Sequence, residues 1–135
     1  MNNLWKKFLS SGKVNSCPVI DIHCHMGLFY GSHLPYSSPD VMVERMKIAG
    51  VKIVVFSHHY ALHNPEEGNK ISIDVVNRYP DRFRAYCAIN PNYPAMIEGD
   101  LKTFDKLAKK IYVGFKLLPD YHHYPISGEK YRKVF

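Results

Sequence analysis

The stretch VIDIHCHMG, residues 19–27, sets two histidines one residue apart in a run otherwise apolar enough for a buried strand. Strand alternation puts Asp21, His23 and His25 on one face, and Ile20, Ile22 and Cys24 on the other. The two imidazoles then lie roughly 6.5–7 Å apart at Cα, close enough to converge on one small object such as a metal ion. Cys24 sits between them in sequence but on the opposite face, where it is expected to pack rather than to ligate. Other chemically capable residues follow further apolar runs: Ser57, His58, His59, Asn90, Lys116, His122 and His123.

The elements that must position these groups alternate regularly. PVIDIHCHM reads as a first strand. SSPDVMVERMKIAG reads as a helix with Ser38 as N-cap, Pro39 at the first helical position and Gly50 just past the end. Its expected apolar stripe is Val41, Met42, Met46 and Ala49. VKIVVFSHH is a continuous β-branched run, typical of a strand covered on both faces. NPEEGNKISIDVVNRYP is a second helix with Ile71, Val75 and Val76 inward and Pro80 closing it. RFRAYCAINP is a third strand and PAMIEGDLKTFDKLAKK a third helix, its stripe built from Met96, Ile97, Leu101, Phe104, Leu107 and Ala108. IYVGFKLLP is a fourth strand, followed by a polar loop with a helix expected near Gly128. Strands and helices in this order form βαβ crossovers and a parallel sheet, which gathers its chemistry at the C-terminal ends of the strands. No glycine-rich phosphate loop follows the first strand, which argues against a nucleotide-binding open sheet.

Composition narrows the classes. The chain has 135 residues, 46% hydrophobic and 22% charged, which is globular rather than disordered material. A net charge of +6 invites an acidic partner, yet the basic residues are scattered and follow no nucleic-acid motif. No nucleic acid and no membrane partner is expected, since no run approaches the roughly 20 apolar residues of a span. The three cysteines, Cys17, Cys24 and Cys87, form no C-x-x-C pair and suit a reducing compartment. Residues 1–16 lack a secretory apolar stretch, and a cytoplasmic location is expected.

VIDIHCHMG resembles the first-strand H-x-H signature of the amidohydrolase superfamily of metal-dependent hydrolases. NRYPDRFRAYCAINP and VGFKLLPDYHHYPI are similar to the helix-two to strand-three and fourth-strand passages of its amidohydrolase-related branch. The resemblance runs from residue 19 to about 126, in order and at sensible spacings. It implies the α/β class and the N-terminal half of a (β/α)8 TIM barrel, about four parallel strands with helices outside. Residues 1–18 are then an N-terminal extension and 19–135 a partial barrel domain.

The resemblance also implies a divalent metal, zinc foremost, held by His23 and His25. Asp21 is then a group behind the ligands that orients a ring, or it fills the barrel. Lys116 matches a position where some relatives carry a carboxylated, metal-bridging lysine. Substrate anion contact and a structural ion pair are its other readings. His58, His59 and His122 are candidate pocket residues, with one of the adjacent pair His58 and His59 expected inward and the other outward. His33 and His63 are expected to be solvated.

The expected activity is hydrolysis of an amide, ester or lactone by a metal-activated water. The expected substrate is a small molecule, with a carboxylate or other anion suiting the basic chain. Nonoxidative decarboxylation by the same family, or a non-catalytic truncated half barrel, are the alternatives. A complete barrel takes about 250 residues, and the family's later ligands and general-base aspartate fall after the fourth strand. Self-association or a separate C-terminal half is therefore expected to complete the barrel. Tyr86 and Tyr112 are expected to face its lumen.

Overall fold

The computed structural model describes residues 3–31 and 33–135. Helix α1 (Leu4–Ser11) precedes β1 (Val19–Met26), α2 (Pro39–Ala49), β2 (Val51–His58), α3 (Pro65–Arg78), β3 (Phe83–Ala88), α4 (Pro94–Leu107) and β4 (Tyr112–Lys116). A four-residue helix α5 (Pro119–His122) and 3₁₀ turns at His59–Leu62 and Glu129–Tyr131 complete the chain. The strands form one sheet in the order β1-β2-β3-β4, with every neighbouring pair parallel. The parallel α/β order is the one expected from the alternation of periods, and it is consistent with the half barrel that the resemblance implies.

Local chemistry sets most boundaries. Proline stands in the first turn of α2, α3 and α4, where its missing N–H costs nothing. Asn64 caps α3 by accepting a hydrogen bond from the Glu67 N–H. Ser38 has the extended backbone of an N-cap, but its side chain makes no capping bond. Gly50 ends α2 at φ 72°, the left-handed conformation expected past a helix end. The inward stripe of α2 is Met42, Val43 and Met46, whereas Val41 and Ala49, expected inward, are exposed.

The core lies between the sheet's outer face and α2, α3 and α4. Phe56 and Phe83 meet edge to face at 5.6 Å, with Met26, Val76 and Cys87 around them. Burial pushes the Cys87 thiol pKa well up, consistent with an inert core residue. Val54 to Ser57 of β2 are buried on both faces, as the β-branched run predicts. Tyr112 belongs to this outer layer and not to the lumen: its ring stacks on Phe104 and its hydroxyl donates to the Asn69 carbonyl. An irregular register between Ala85 and Tyr86 accompanies that placement.

The edge strand β1 departs from the simple pattern. Ile20 and Ile22, on the face where a helix is expected, are 51% and 67% exposed. Helix α1 lies within the extension, where no helix is expected from the sequence, and leaves Trp5, Phe8 and Leu9 exposed. No helix among the described residues is long and apolar enough to cross a membrane.

Candidate functional site

His23 and His25 project from β1 with ring centroids 5.4 Å apart and planes tilted by 46°. Two imidazoles bound through nitrogen to one tetrahedral ion, at about 2.0–2.1 Å each, have centroids about 5.2 Å apart. The separation is compatible with an ion between the rings, and it is equally the ordinary spacing of a tilted ring pair. Among the described residues, no group of three or more His, Cys, Asp or Glu is arranged to hold a metal.

Lys116, at the end of β4, places its Nζ 3.1 Å from His23 Nε2. A charged lysine only donates, so Nε2 carries the lone pair and the ring proton sits on Nδ1. Burial lowers the Lys116 pKa from its ordinary value. The lysine thus lies against the first candidate ligand, within reach of whatever that ligand binds.

His25 stacks on His59 at 5.0 Å with planes only 8° apart. Stacking sets the in-plane lone pairs side by side, so His59 does not converge on the same point as His25. Its Nδ1 is 2.7 Å from the Gly27 carbonyl, which can only accept, so Nδ1 holds the proton. The His25 pKa is pushed down to about 4, chiefly by burial and then by repulsion from His59, Lys116 and His23. At neutral pH His25 is uncharged, the state a metal ligand requires.

Of the adjacent pair, His59 faces the pocket and His58 does not. His58 lies beside Gly27 and accepts from the Tyr60 N–H, with its pKa lowered by burial and by His59. Asp21 accepts from the His23 backbone N–H at 3.0 Å, so it braces the strand and not the imidazole. That bond falls within an irregular β1–β2 register between Asp21 and Cys24.

His122 corrects the sequence reading more sharply. It is buried at the end of α5, with Nε2 3.0 Å from the Leu62 carbonyl, and is neither a pocket wall nor a surface residue. Asn90 donates to the same Leu62 carbonyl and Asn92 to the His122 carbonyl, so these polar groups tie two loops together. His33, His63 and His123 are exposed.

The pocket itself is a cavity of about 570 Å³ at the C-terminal ends of the strands. Imidazoles of His23, His25 and His59 form one end, and Phe29, Tyr36 and Tyr121 form an apolar wall. This wall comes from the segment after β1 and from the short helix α5, and sequence periodicity gave no sign of it. Cys24 also touches the cavity while packing against the core, its thiol pKa raised by burial and by Asp21.

Two further lumen residues flank the site: Tyr86, expected there from the sequence, and Ser57, one of the chemically capable residues after an apolar run. Tyr86 crosses the concave face and donates its hydroxyl to the Ile22 carbonyl at 2.8 Å. It passes Gly114, where an added Cβ would lie 3.3 Å from the ring. Ser57 is paired in register with His25, and its enclosed Oγ has no hydrogen-bond partner among the described residues. Its place after a β-branched run is the signal that marks it in sequence.

The fold and site together define a parallel β/α arrangement consistent with a half barrel, with paired imidazoles, a lysine and an apolar pocket at the C-terminal ends of its strands. No protein-family model, curated protein or solved structure matches the chain.

Proposed function

We propose that this chain is the metal-binding half of a cytoplasmic, metal-dependent hydrolase of the amidohydrolase-related type. The observation that supports the reading best is the His23–His25 pair, whose 5.4 Å separation suits one tetrahedral ion. A zinc or similar divalent ion there would supply Lewis acidity, lowering the pKa of a coordinated water and polarising a carbonyl.

The chain's own residues have definable roles. His23 and His25 hold the ion through neutral nitrogens. His59 backs the His25 ring and fixes its face toward the cavity. Lys116 supplies a cationic contact for a carbonyl oxygen or a substrate carboxylate beside His23. The wall of Phe29, Tyr36 and Tyr121 receives an apolar body and excludes water. The free cysteines support a reducing compartment. A carboxylate contact at Lys116 equally serves nonoxidative decarboxylation of an apolar acid.

The experiment is metal analysis by plasma emission coupled to an activity panel. Zinc bound by the wild type should be lost in His23→Ala and His25→Ala, with affinity reduced at least tenfold in each. Equal metal in wild type and double variant would remove the assignment. Lactones, esters, amides and aromatic carboxylates then separate hydrolysis from carbon dioxide release, with chelator sensitivity as the control.

A further inference from the structure

We propose that His122 pins the apolar wall of the cavity while its imidazole is neutral, and that acid releases that wall. The pin acts on the wall independently of any metal at His23 and His25.

Two segments meet in the wall. Tyr121 belongs to α5 and Leu118 directly precedes that helix, whereas His59 and Leu62 belong to the turn after β2. Phe29 stands between them, its ring 6.3 Å from Tyr121, edge to face, and 5.1 Å from His59. The four residues of α5 are too few for a helix to hold its own shape in water. It ends at His123 with φ 49°, a left-handed conformation that residues with a Cβ rarely adopt. Tertiary ties must therefore keep α5, and Tyr121 with it, in place. His122 provides two. Its Nε2 lies 3.0 Å from the carbonyl of Leu62, itself a cavity residue, and its own carbonyl accepts from the Asn92 side chain at 3.1 Å.

The tie to Leu62 is sensitive to charge. A carbonyl can only accept, so Nε2 carries the ring proton and Nδ1 the lone pair. His122 is 4% exposed, and its Nδ1 is enclosed with no partner among the described residues. A second proton would create an N–H there without an acceptor, and a charge without water. The turn after β2 offers no relief, because His63 just past it repels a charge on His122. The segment after β3 brings the uncharged side chains of Asn90 and Asn92, and Asp120 and His123 on the ring's own segment are exposed. Burial accordingly lowers the His122 pKa from 6.5, with the Leu62 hydrogen bond opposing and His63 adding to the fall. A lowered pKa means that the pinned wall favours the neutral ring. Pinning is complete above pH 6.5 and weakens as pH falls below it. Release gives both ring nitrogens to water and withdraws Tyr121, so an apolar ligand body loses part of its wall.

Nuclear magnetic resonance on the full chain between pH 7.5 and pH 5 tests the pin. Long-range proton–nitrogen spectra should show the Nε2–H tautomer of His122 at pH 7.5 and a titration midpoint below 6.5. The Tyr121–Phe29 ring contact, read as an Overhauser effect, should fade with that same midpoint. Amide protection at His122 and Tyr124 should fall at least tenfold across the step, while β2 and β3 keep theirs. His122→Gln still offers an N–H to Leu62 and cannot titrate, so its Tyr121–Phe29 contact should survive at pH 5. His122→Leu should lack the contact even at pH 7.5. If that variant does not fold, the wild-type titration and His122→Gln decide. An Nδ1–H tautomer, a midpoint at or above 6.5, or a ring contact that outlasts protonation of His122 overturns the pin. Equal loss of the contact in His122→Gln places the trigger on another group and overturns it too. Protection lost throughout the sheet at the same midpoint would be global unfolding, and a local release would be ruled out.

Discussion

Lys116 Nζ and His23 Nε2 lie 3.1 Å apart, although 92 residues separate them in the chain and they stand on opposite edge strands of the sheet. The contact sets a cation against the lone pair of a candidate metal ligand. An incoming dication would have to displace the ammonium or share the nitrogen's surroundings with it.

Replacing Lys116 therefore has a signed consequence. Two like charges a few ångströms apart near a protein surface repel by several kcal/mol before screening, and by about 1 kcal/mol in an open site. Lys116→Met should tighten zinc binding about three- to tenfold, measured by competition with a chromophoric chelator. A loss of affinity instead would mean that the lysine itself takes part in holding the ion.

Tyr86→Phe removes the hydroxyl that ties β3 to the Ile22 carbonyl. The bond is partly open to solvent, so the loss should be about 0.5–1 kcal/mol in urea unfolding. Hydrogen exchange should quicken at β1 more than at the α3–α4 face. Uniform exchange changes across the sheet would show that the contact does not brace β1.

Gly68→Ala should be far more damaging. A Cβ at this position of α3 would lie 2.3 Å from the Ala61 backbone, in the turn that begins with His59. Neither backbone can yield without moving α3 or that turn. A loss of about 2–4 kcal/mol is expected, with weaker zinc binding only if the turn shifts His59 against His25. Thermal unfolding within 1 °C of the wild type would contradict the close approach.

Asp100 gives a pH dependence remote from the metal pair. Burial raises its pKa from 3.8 to about 6, opposed by a hydrogen bond from Asn69. The folded state thus prefers the protonated acid. The charged form is penalised above pH 6, and the penalty fades as pH falls through 6 toward 3.8. The carboxyl is only half-buried, so solvent reduces a full value of about 3 kcal/mol to about 1. Asp100→Asn should exceed the wild type by about 1 kcal/mol at pH 7.5 and match it near pH 3.5, by chemical denaturation. An advantage that persists unchanged at pH 3.5 would assign the effect to packing rather than charge.

The order of elements was legible because its signals are local. Proline at helix starts, glycine past α2 and the switch from helical to strand periods act within a few residues, and they yielded the alternating order and the parallel sheet; the half barrel rested on the family resemblance. The H-x-H pair was legible for the same reason: alternation along β1 alone puts His23 and His25 on one side. Which histidine of the His58–His59 pair would enter the pocket needed the 3₁₀ turn after β2, and that turn depends on Gly68 letting α3 approach. Burial of His122 depends on the Leu62 carbonyl, 60 residues away, accepting a hydrogen bond from its ring. Tyr112 lies under α4 because the register slips beside it, a shift no period-two pattern encodes. Exposure of Ile20 and Ile22 was not legible either, because no element packs over them. Alternation says which way a side chain points, whereas only the packed molecule says whether anything stands there to cover it.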